Sequence, residues 1–149
     1  MRKKKIIVGL LGTPNSGRTT AAKILKKKGF YRASINDKVE EFAKHLFNDE
    51  ELSFGKNQIL NKVRERGYSV SKEYWLNLIL VSVPDDTNLI VFDDISMEEA
   101  HNSSITVYQI HRDGVSTDKA DGFETIENNG VLKDFTQQVE ELYKKIVSL

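Results

Sequence analysis

The run Gly12-Thr13-Pro14-Asn15-Ser16-Gly17-Arg18-Thr19-Thr20, directly behind the apolar stretch Ile6-Ile7-Val8-Gly9-Leu10-Leu11, constrains this chain more than any other feature. Two glycines separated by four residues, then a cation, then hydroxyls, is the spacing of a phosphate-binding loop, with arginine where lysine is usual. Phosphate oxygens are held by backbone N–H groups converging from a concave turn, which requires chain without Cβ atoms in the way. Gly12 and Gly17 supply it. After the turn, Ala21, Ala22, Ile24 and Leu25 begin a helical pattern, so the first N–H groups and positive dipole end of a helix face the same anion. Thr19 stands where the hydroxyl of such a loop ligates Mg²⁺. The competing reading is a glycine-rich turn that holds nothing, and the strand before it and helix after it favour the phosphate site.

Residues 5–11 read as a central parallel strand, because an unbroken apolar run suits a strand covered on both faces. A helix is predicted from Arg18 to Lys28, stopping at Gly29, and a short strand over Phe30 to Ala33. Ser34 to Asp37 offers helix caps before Val39, Phe42, Ala43, Leu46 and Phe47, which recur at helical spacing. Asn48 to Phe54 reads as a loop, Ile59, Leu60 and Val63 mark a helix closed by Gly67, and Ser71 caps a fourth helix that ends before Pro84. Leu89 to Phe92 is a second buried strand, ending in Asp93-Asp94. A short helix over Met97 to His101, a strand over Ile105 to Ile110, a polar mobile loop from His111 to Gly122 and a last strand over Phe123 to Glu127 follow. After the turn Asn128-Asn129-Gly130, Leu132, Phe135, Val139, Leu142 and Ile146 define a closing helix. Strands separated by helices predict one α/β domain over residues 1–149, a parallel sheet with helices on both faces and right-handed crossovers.

Composition narrows the function classes. The formal net charge is +0, so no global field points to nucleic acid or a membrane surface. The charges are uneven, since no Asp or Glu precedes Asp37 while Lys and Arg recur from Arg2 to Arg32, a basic edge suited to phosphates. The chain has no cysteine, which removes disulfides, thiolate catalysis and Cys-based zinc sites together. The basic start resembles a signal n-region, but the apolar run behind it ends at Leu11 and is broken by Gly12 and Pro14, so a cytoplasmic protein is expected.

Phosphoryl transfer asks for positioning, a metal, and positive charge where the transferring oxygens gather negative charge. Asp93, at the C-terminal end of a strand where ligands collect in open α/β sheets, is placed to enter the Mg²⁺ shell or accept a proton. Otherwise Asp93 and Asp94 cap the next helix. Arg18 keeps the charge of lysine and changes its shape: a planar fork can clamp phosphate or crowd the loop. A loss of a few kcal/mol at the transition state would cost on the order of a hundredfold in rate. Arg64, Arg66, Arg112, Lys56 and Lys62 are candidates to grip a second phosphorylated substrate, or are solvated surface charges. Trp75 and Tyr74 either stack on a base or belong to the core. His45, His101 and His111 have no metal-ligand spacing and receive no role.

On these residues the chain resembles the deoxynucleoside monophosphate kinases of phage type, within the three-layer P-loop nucleoside monophosphate kinase fold. Ile7 to Lys28 is similar to that family's opening strand, phosphate loop and helix. Gly29-Phe30-Tyr31-Arg32-Ala33-Ser34-Ile35-Asn36-Asp37 is similar to its second segment, in which an aspartate opens the monophosphate-binding helix. Leu60 to Trp75 resembles its substrate-side helices, Val91-Phe92-Asp93 with Glu99-Ala100 its strand-end acid, and Ile126 to Leu132 its closing turn. Dephospho-coenzyme A kinases share the opening and Lys28 to Phe30 but match less beyond it. The resemblance implies ATP and Mg²⁺ as cofactors and a nucleotide partner, with a homodimer admitted. It implies nucleotide binding by Gly12 to Thr20, metal binding by Thr19 and Asp93, catalysis by Arg18, Asp93 and Arg112, and substrate binding by Asp37, Arg64, Arg66 and Trp75, with 34–84 as the substrate segment and 111–122 as a lid. Three departures stand out: Arg18 for the loop lysine, Ile95 where the family tends to place an arginine, and Glu40 where a basic residue is expected.

Two alternatives follow. A kinase stripped of several phosphate-binding cations would serve as a non-catalytic nucleotide-binding or protein-interaction module. A small GTPase, suggested by Pro14-Asn15, would need a guanine-reading Asn-Lys-x-Asp and an Asp-x-x-Gly, and neither is present.

Overall fold

The computed structural model describes residues 5–114 and 119–148. Its centre is β1 (Ile6–Leu11), and β2 (Tyr31–Ala33), β3 (Leu89–Phe92), β4 (Thr106–His111) and β5 (Glu124–Glu127) complete a five-stranded sheet in the order β2-β3-β1-β4-β5. Every pairing is parallel, with Val8 opposite both Val91 and Thr106. Parallel strands must be joined by crossovers, which cover the faces and explain why Val8, Leu10, Ile90, Val91 and Phe92 are all fully buried.

One face is packed by α1 (Arg18–Lys27) and α7 (Leu132–Val147). Ala21, Ala22 and Leu25 of α1 meet Phe135, Val139, Leu142 and Ile146 of α7 over Val8, Leu10, Val91, Tyr108 and Ile110. Small alanines on α1 allow it to lie close to the sheet. Side chains alternate along a strand, so Gly9 points to the other face. There Ile95 fills the space, its Cδ1 2.6 Å from where a Gly9 Cβ would stand, and α6 (Met97–Ala100) lies against β1. The protein is a three-layer α/β fold. One element of the expected inward stripe differs: Leu132, in the first turn of α7, is exposed, and the buried set begins at Phe135.

The chain divides into two compact units, Met1–Ala33 with Asp86–Leu149, and Ser34–Asp85. The second is helical: α2 (Ile35–Leu46), α3 (Asp49–Ser53), α4 (Lys56–Val70) and α5 (Tyr74–Leu80). Ser34 opens α2 by accepting the Asp37 N–H at 3.2 Å. Asn48 to Phe54 is a helix rather than the expected loop, because Asn48 and Glu51 cap each other: Glu51 N donates to Asn48 Oδ1 at 2.8 Å and Asn48 N to Glu51 Oε1 at 3.2 Å.

Gly67 does not close α4. It lies inside the helix because the Trp75 indole occupies the place of its missing side chain, with Nε1 2.4 Å from the position of a Cβ. That indole donates to Arg64 O at 2.9 Å. Ser71 ends α4 instead of opening α5, which begins after Glu73.

Candidate functional site: the loop between β1 and α1

Between Leu11 and Arg18 the chain bends into a tight cup. Ser16 N donates to Thr13 O at 3.2 Å, Asn15 has φ 67° and Gly17 φ 117°. Alternation of right- and left-handed residues turns successive N–H groups to one side, which is the geometry of an anion nest. Gly17 is needed twice over: an L residue is strained at its φ, and a Cβ would stand 2.6 Å from Asn128 Nδ2 and 3.2 Å from Phe135 Cζ. At Gly12 space is short as well, since a Cβ would lie 2.6 Å from Ile110 O and 2.8 Å from Ser16 Oγ.

The cup is strapped from behind. Asn128 donates through Nδ2 to Ser16 O at 2.9 Å, while its own N–H donates to His111 O at 2.7 Å. Helix α1 then starts at Arg18 with no side chain capping its N-terminus. Its first N–H groups and positive dipole end are therefore left to whatever occupies the cup.

Among the described residues, two hydroxyls in this loop find no hydrogen-bond partner: Thr13 Oγ1 and Ser16 Oγ are both buried, and Ser16 is 0% exposed. A buried polar atom without a partner costs about 1–3 kcal/mol, and native proteins hold few of them. Two within four residues, inside a concave loop, leave donors that an acceptor-rich ligand would satisfy.

Pro14, Asn15 and Thr19 are exposed, Thr20 half-buried. Arg18 is half-buried, its Cδ 3.4 Å from the Cβ position of Gly12, so the aliphatic stem runs along the cup.

Asp93 follows β3 at the same C-terminal edge of the sheet and is 5% exposed. Arg32 of β2 reaches it, with Nε 2.7 Å and Nη2 2.5 Å from Asp93 Oδ2. The residue that caps α6 is Ser96, whose N–H donates to Glu99 Oε1 at 3.1 Å, and neither Asp93 nor Asp94 takes that position. Arg32 has no signal in a linear reading. Its relation to Asp93 depends on β2 pairing with β3, which aligns Ala33 with Phe92.

On the other side of the loop, β4 and β5 bring His111 opposite Glu127. The buried His111 ring has Nδ1 2.7 Å from Glu127 Oε2, and the Lys119 ammonium is paired with Glu127 Oε1. These contacts, Lys119 first and His111 second, hold the Glu127 carboxyl below its ordinary range. Asp113 Oδ1 is 3.8 Å from the same Nδ1. His111, Asp113 and Glu127 could gather round a cation, but Lys119 already supplies the positive charge there. His111, given no role by spacing, thus stands in a built network. With Gly12, Thr13, Gln109 and Met97 it lines a cavity of about 190 Å³.

The expected lid begins after His111, which belongs to β4. Arg112 is exposed, and Asp113 N donates to Asn129 Oδ1 at 2.7 Å. Gln109 pins the far end, accepting from Ala120 N at 2.8 Å and donating to Ala120 O at 3.1 Å. Residues 115–118 of the expected lid lie outside the described residues.

Asp37, Arg64, Arg66 and Trp75 belong to the helical unit. Asp37 is exposed in the first turn of α2. Arg64 donates through Nη1 to Asn36 Oδ1 and through Nε to Tyr68 Oη, both at 2.9 Å. Trp75 is 1% exposed and packs edge-on against Phe42 and Tyr74, so it is a core residue of this unit rather than an open stacking plate. With Phe42, Leu46, Val63, Arg66 and Tyr74 it walls an apolar cleft of about 460 Å³.

The fold is similar to the crystal structure of TT1252 from Thermus thermophilus, with a TM-score of 0.51 and 15% identity over 96% of this chain and 98% of that one. No protein-family model matches the chain, and no curated protein matches it. Among the described residues no helix is long and apolar enough to cross a membrane.

Proposed function

We propose that this protein is a cytoplasmic nucleotide kinase that transfers the γ-phosphoryl group of ATP to a (deoxy)nucleoside monophosphate. The observation that carries the reading is the pair of orphaned hydroxyls, Thr13 Oγ1 and Ser16 Oγ, inside the cup closed by Gly12 and Gly17. A polyphosphate offers them acceptors, and the uncapped N-terminus of α1 offers it donors and a positive dipole end.

In the transfer, an oxygen of the acceptor phosphate bonds to Pγ while the bond from Pγ to the bridging oxygen breaks and ADP leaves. The chain contributes position and charge: the loop N–H groups hold the β- and γ-phosphates, and the Arg18 guanidinium meets charge gathering on the γ-oxygens. Thr19 and Asp93 are the hard oxygen donors that Mg²⁺ prefers, and would hold it. Held by these two residues, Mg²⁺ would supply positive charge against the transferring phosphate. ADP release should require ATP, Mg²⁺ and an added monophosphate together. Release with no dependence on monophosphate would rule the acceptor out.

A second reading, a non-catalytic nucleotide-binding module of the same fold, is favoured by one observation: Arg32 sits on the Asp93 carboxylate that the metal would need. It expects ATP binding without turnover.

A further inference from the structure

We propose that the apolar cleft of the helical unit is a docking groove for an amphipathic helix of a partner protein, one that carries acidic residues along its flank. The proposal stands on residues 34–85 alone and does not depend on the reading of the loop between β1 and α1.

Helix α4 lends the cleft Ile59, Lys62, Val63, Arg66, Gly67 and Val70. Their spacing, i, i+3, i+4, i+7, i+8 and i+11, is a single stripe along three turns, about 16 Å long at the rise of an α-helix. A stripe of that period ordinarily faces a core. Here it stays open: Val70 is 71% exposed, and Leu46 at the end of α2 is 68% exposed. Phe42 and the buried Trp75 also line the cleft.

Charge selects the occupant. Lys62 and Arg66 stand one turn apart on the stripe, both exposed, and their cationic groups enter no ion pair among the described residues. No acidic side chain of the described residues lines the cleft. Carboxylates one turn apart on an incoming helix would meet both cations, which steers and orients it. The apolar anchors of such a helix, at i, i+3, i+4 and i+7, match the stripe. A second copy of this chain fits worse, because a two-fold pair with cleft against cleft would oppose Lys62 and Arg66 to their own equivalents. A small apolar ligand also fits worse, because pockets for such ligands enclose most of their surface, while Leu46 and Val70 stand largely in solvent.

The test selects on the full chain from displayed peptides of about 14 residues, three to four helical turns. Apolar residues are fixed at i, i+3, i+4, i+7 and i+11, and every other position is random. Retained peptides should carry Asp or Glu at two positions four apart. They should bind at least about tenfold more weakly to the double variant Lys62→Glu with Arg66→Glu. Both sites are exposed, so that variant should keep the wild-type circular dichroism, and it should itself retain peptides with Lys or Arg in place of the acids. Nitrogen-15 spectra of the wild type give a reading that needs no variant: a retained peptide should move the amides from Ile59 to Val70 and the Trp75 indole. No retained peptide, retained peptides without acidic preference, or shifts that leave α4 untouched overturn the proposal. Displacement of the peptides by dodecanoate or by phosphatidylglycerol vesicles at lower concentration overturns it in favour of a lipid. A wild-type dimer that the double substitution dissociates overturns it in favour of a second copy.

Discussion

Asn128 Nδ2 donates to the backbone carbonyl of Ser16 at 2.9 Å, across 112 positions of sequence. The bond is buried, and it fixes the loop between β1 and α1 to the end of β5 at the point where Gly17 leaves no room for anything larger. Replacing Asn128 by alanine leaves the Ser16 carbonyl unsatisfied and opens a gap beside Gly17. Chemical denaturation should show a loss of about 1–2 kcal/mol. The loosened loop should also bind ATP several-fold more weakly, which a titration on the same preparation would measure.

Ser16 separates stability from function more sharply. Its hydroxyl is buried without a partner, so Ser16→Ala removes an unsatisfied group, and the free protein should be unchanged or up to about 1 kcal/mol more stable. The same substitution deletes a donor to a charged ligand. ATP affinity should fall by roughly 10- to 100-fold, the worth of a hydrogen bond to a charged group. Thermal unfolding with and without ATP reads both effects at once.

Much of this architecture was open to a linear reading because burial leaves its mark on composition. The unbroken runs Ile6 to Leu11 and Leu89 to Phe92 mark strands covered on both sides, and Phe135, Val139, Leu142 and Ile146 keep helical spacing. The loop's two glycines were equally visible, since their spacing is itself the signal. What failed were boundaries set by side-chain chemistry across space. Gly67 read as a helix end, yet the Trp75 indole needs its vacant Cβ position. Asn48 to Phe54 reads as a loop for want of an apolar period, and the reciprocal Asn48–Glu51 cap makes it a helix. Arg32 with Asp93, and His111 with Glu127, depend on strand pairing, which no local pattern encodes.

Arg32 should matter to folding through Asp93. The carboxylate is 5% exposed while the Arg32 side chain is 31% exposed, so part of the pair's attraction is screened. Arg32→Met removes a cation from a buried carboxylate and should cost about 1–3 kcal/mol. Asp93→Asn in the same background should recover part of that loss, giving a coupling energy in a double-mutant cycle. If Asp93 also holds Mg²⁺, Asp93→Asn alone should remove the Mg²⁺ dependence of ATP binding.

The network around Glu127 predicts a signature in acid. Its carboxyl is depressed by Lys119 first and His111 second, so the folded state binds its proton less readily than the unfolded chain does. The resulting stabilisation is complete above the ordinary carboxylate range and is lost as pH falls through the depressed value. Lys119→Gln raises the folded value toward the ordinary one. Denaturation midpoints taken from neutrality down to about pH 3 should therefore fall less steeply in the variant than in wild type.

Equilibrium titration of Mg·ATP into the unmodified protein, followed by calorimetry, tests the central claim most directly. A saturable single site is expected, retained in Arg18→Lys and weakened at least tenfold in Arg18→Glu, where an anion faces the phosphates at the start of α1. No saturable heat in wild type, or equal affinity in Arg18→Glu, would contradict a polyphosphate held in the cup between Gly12 and Thr19.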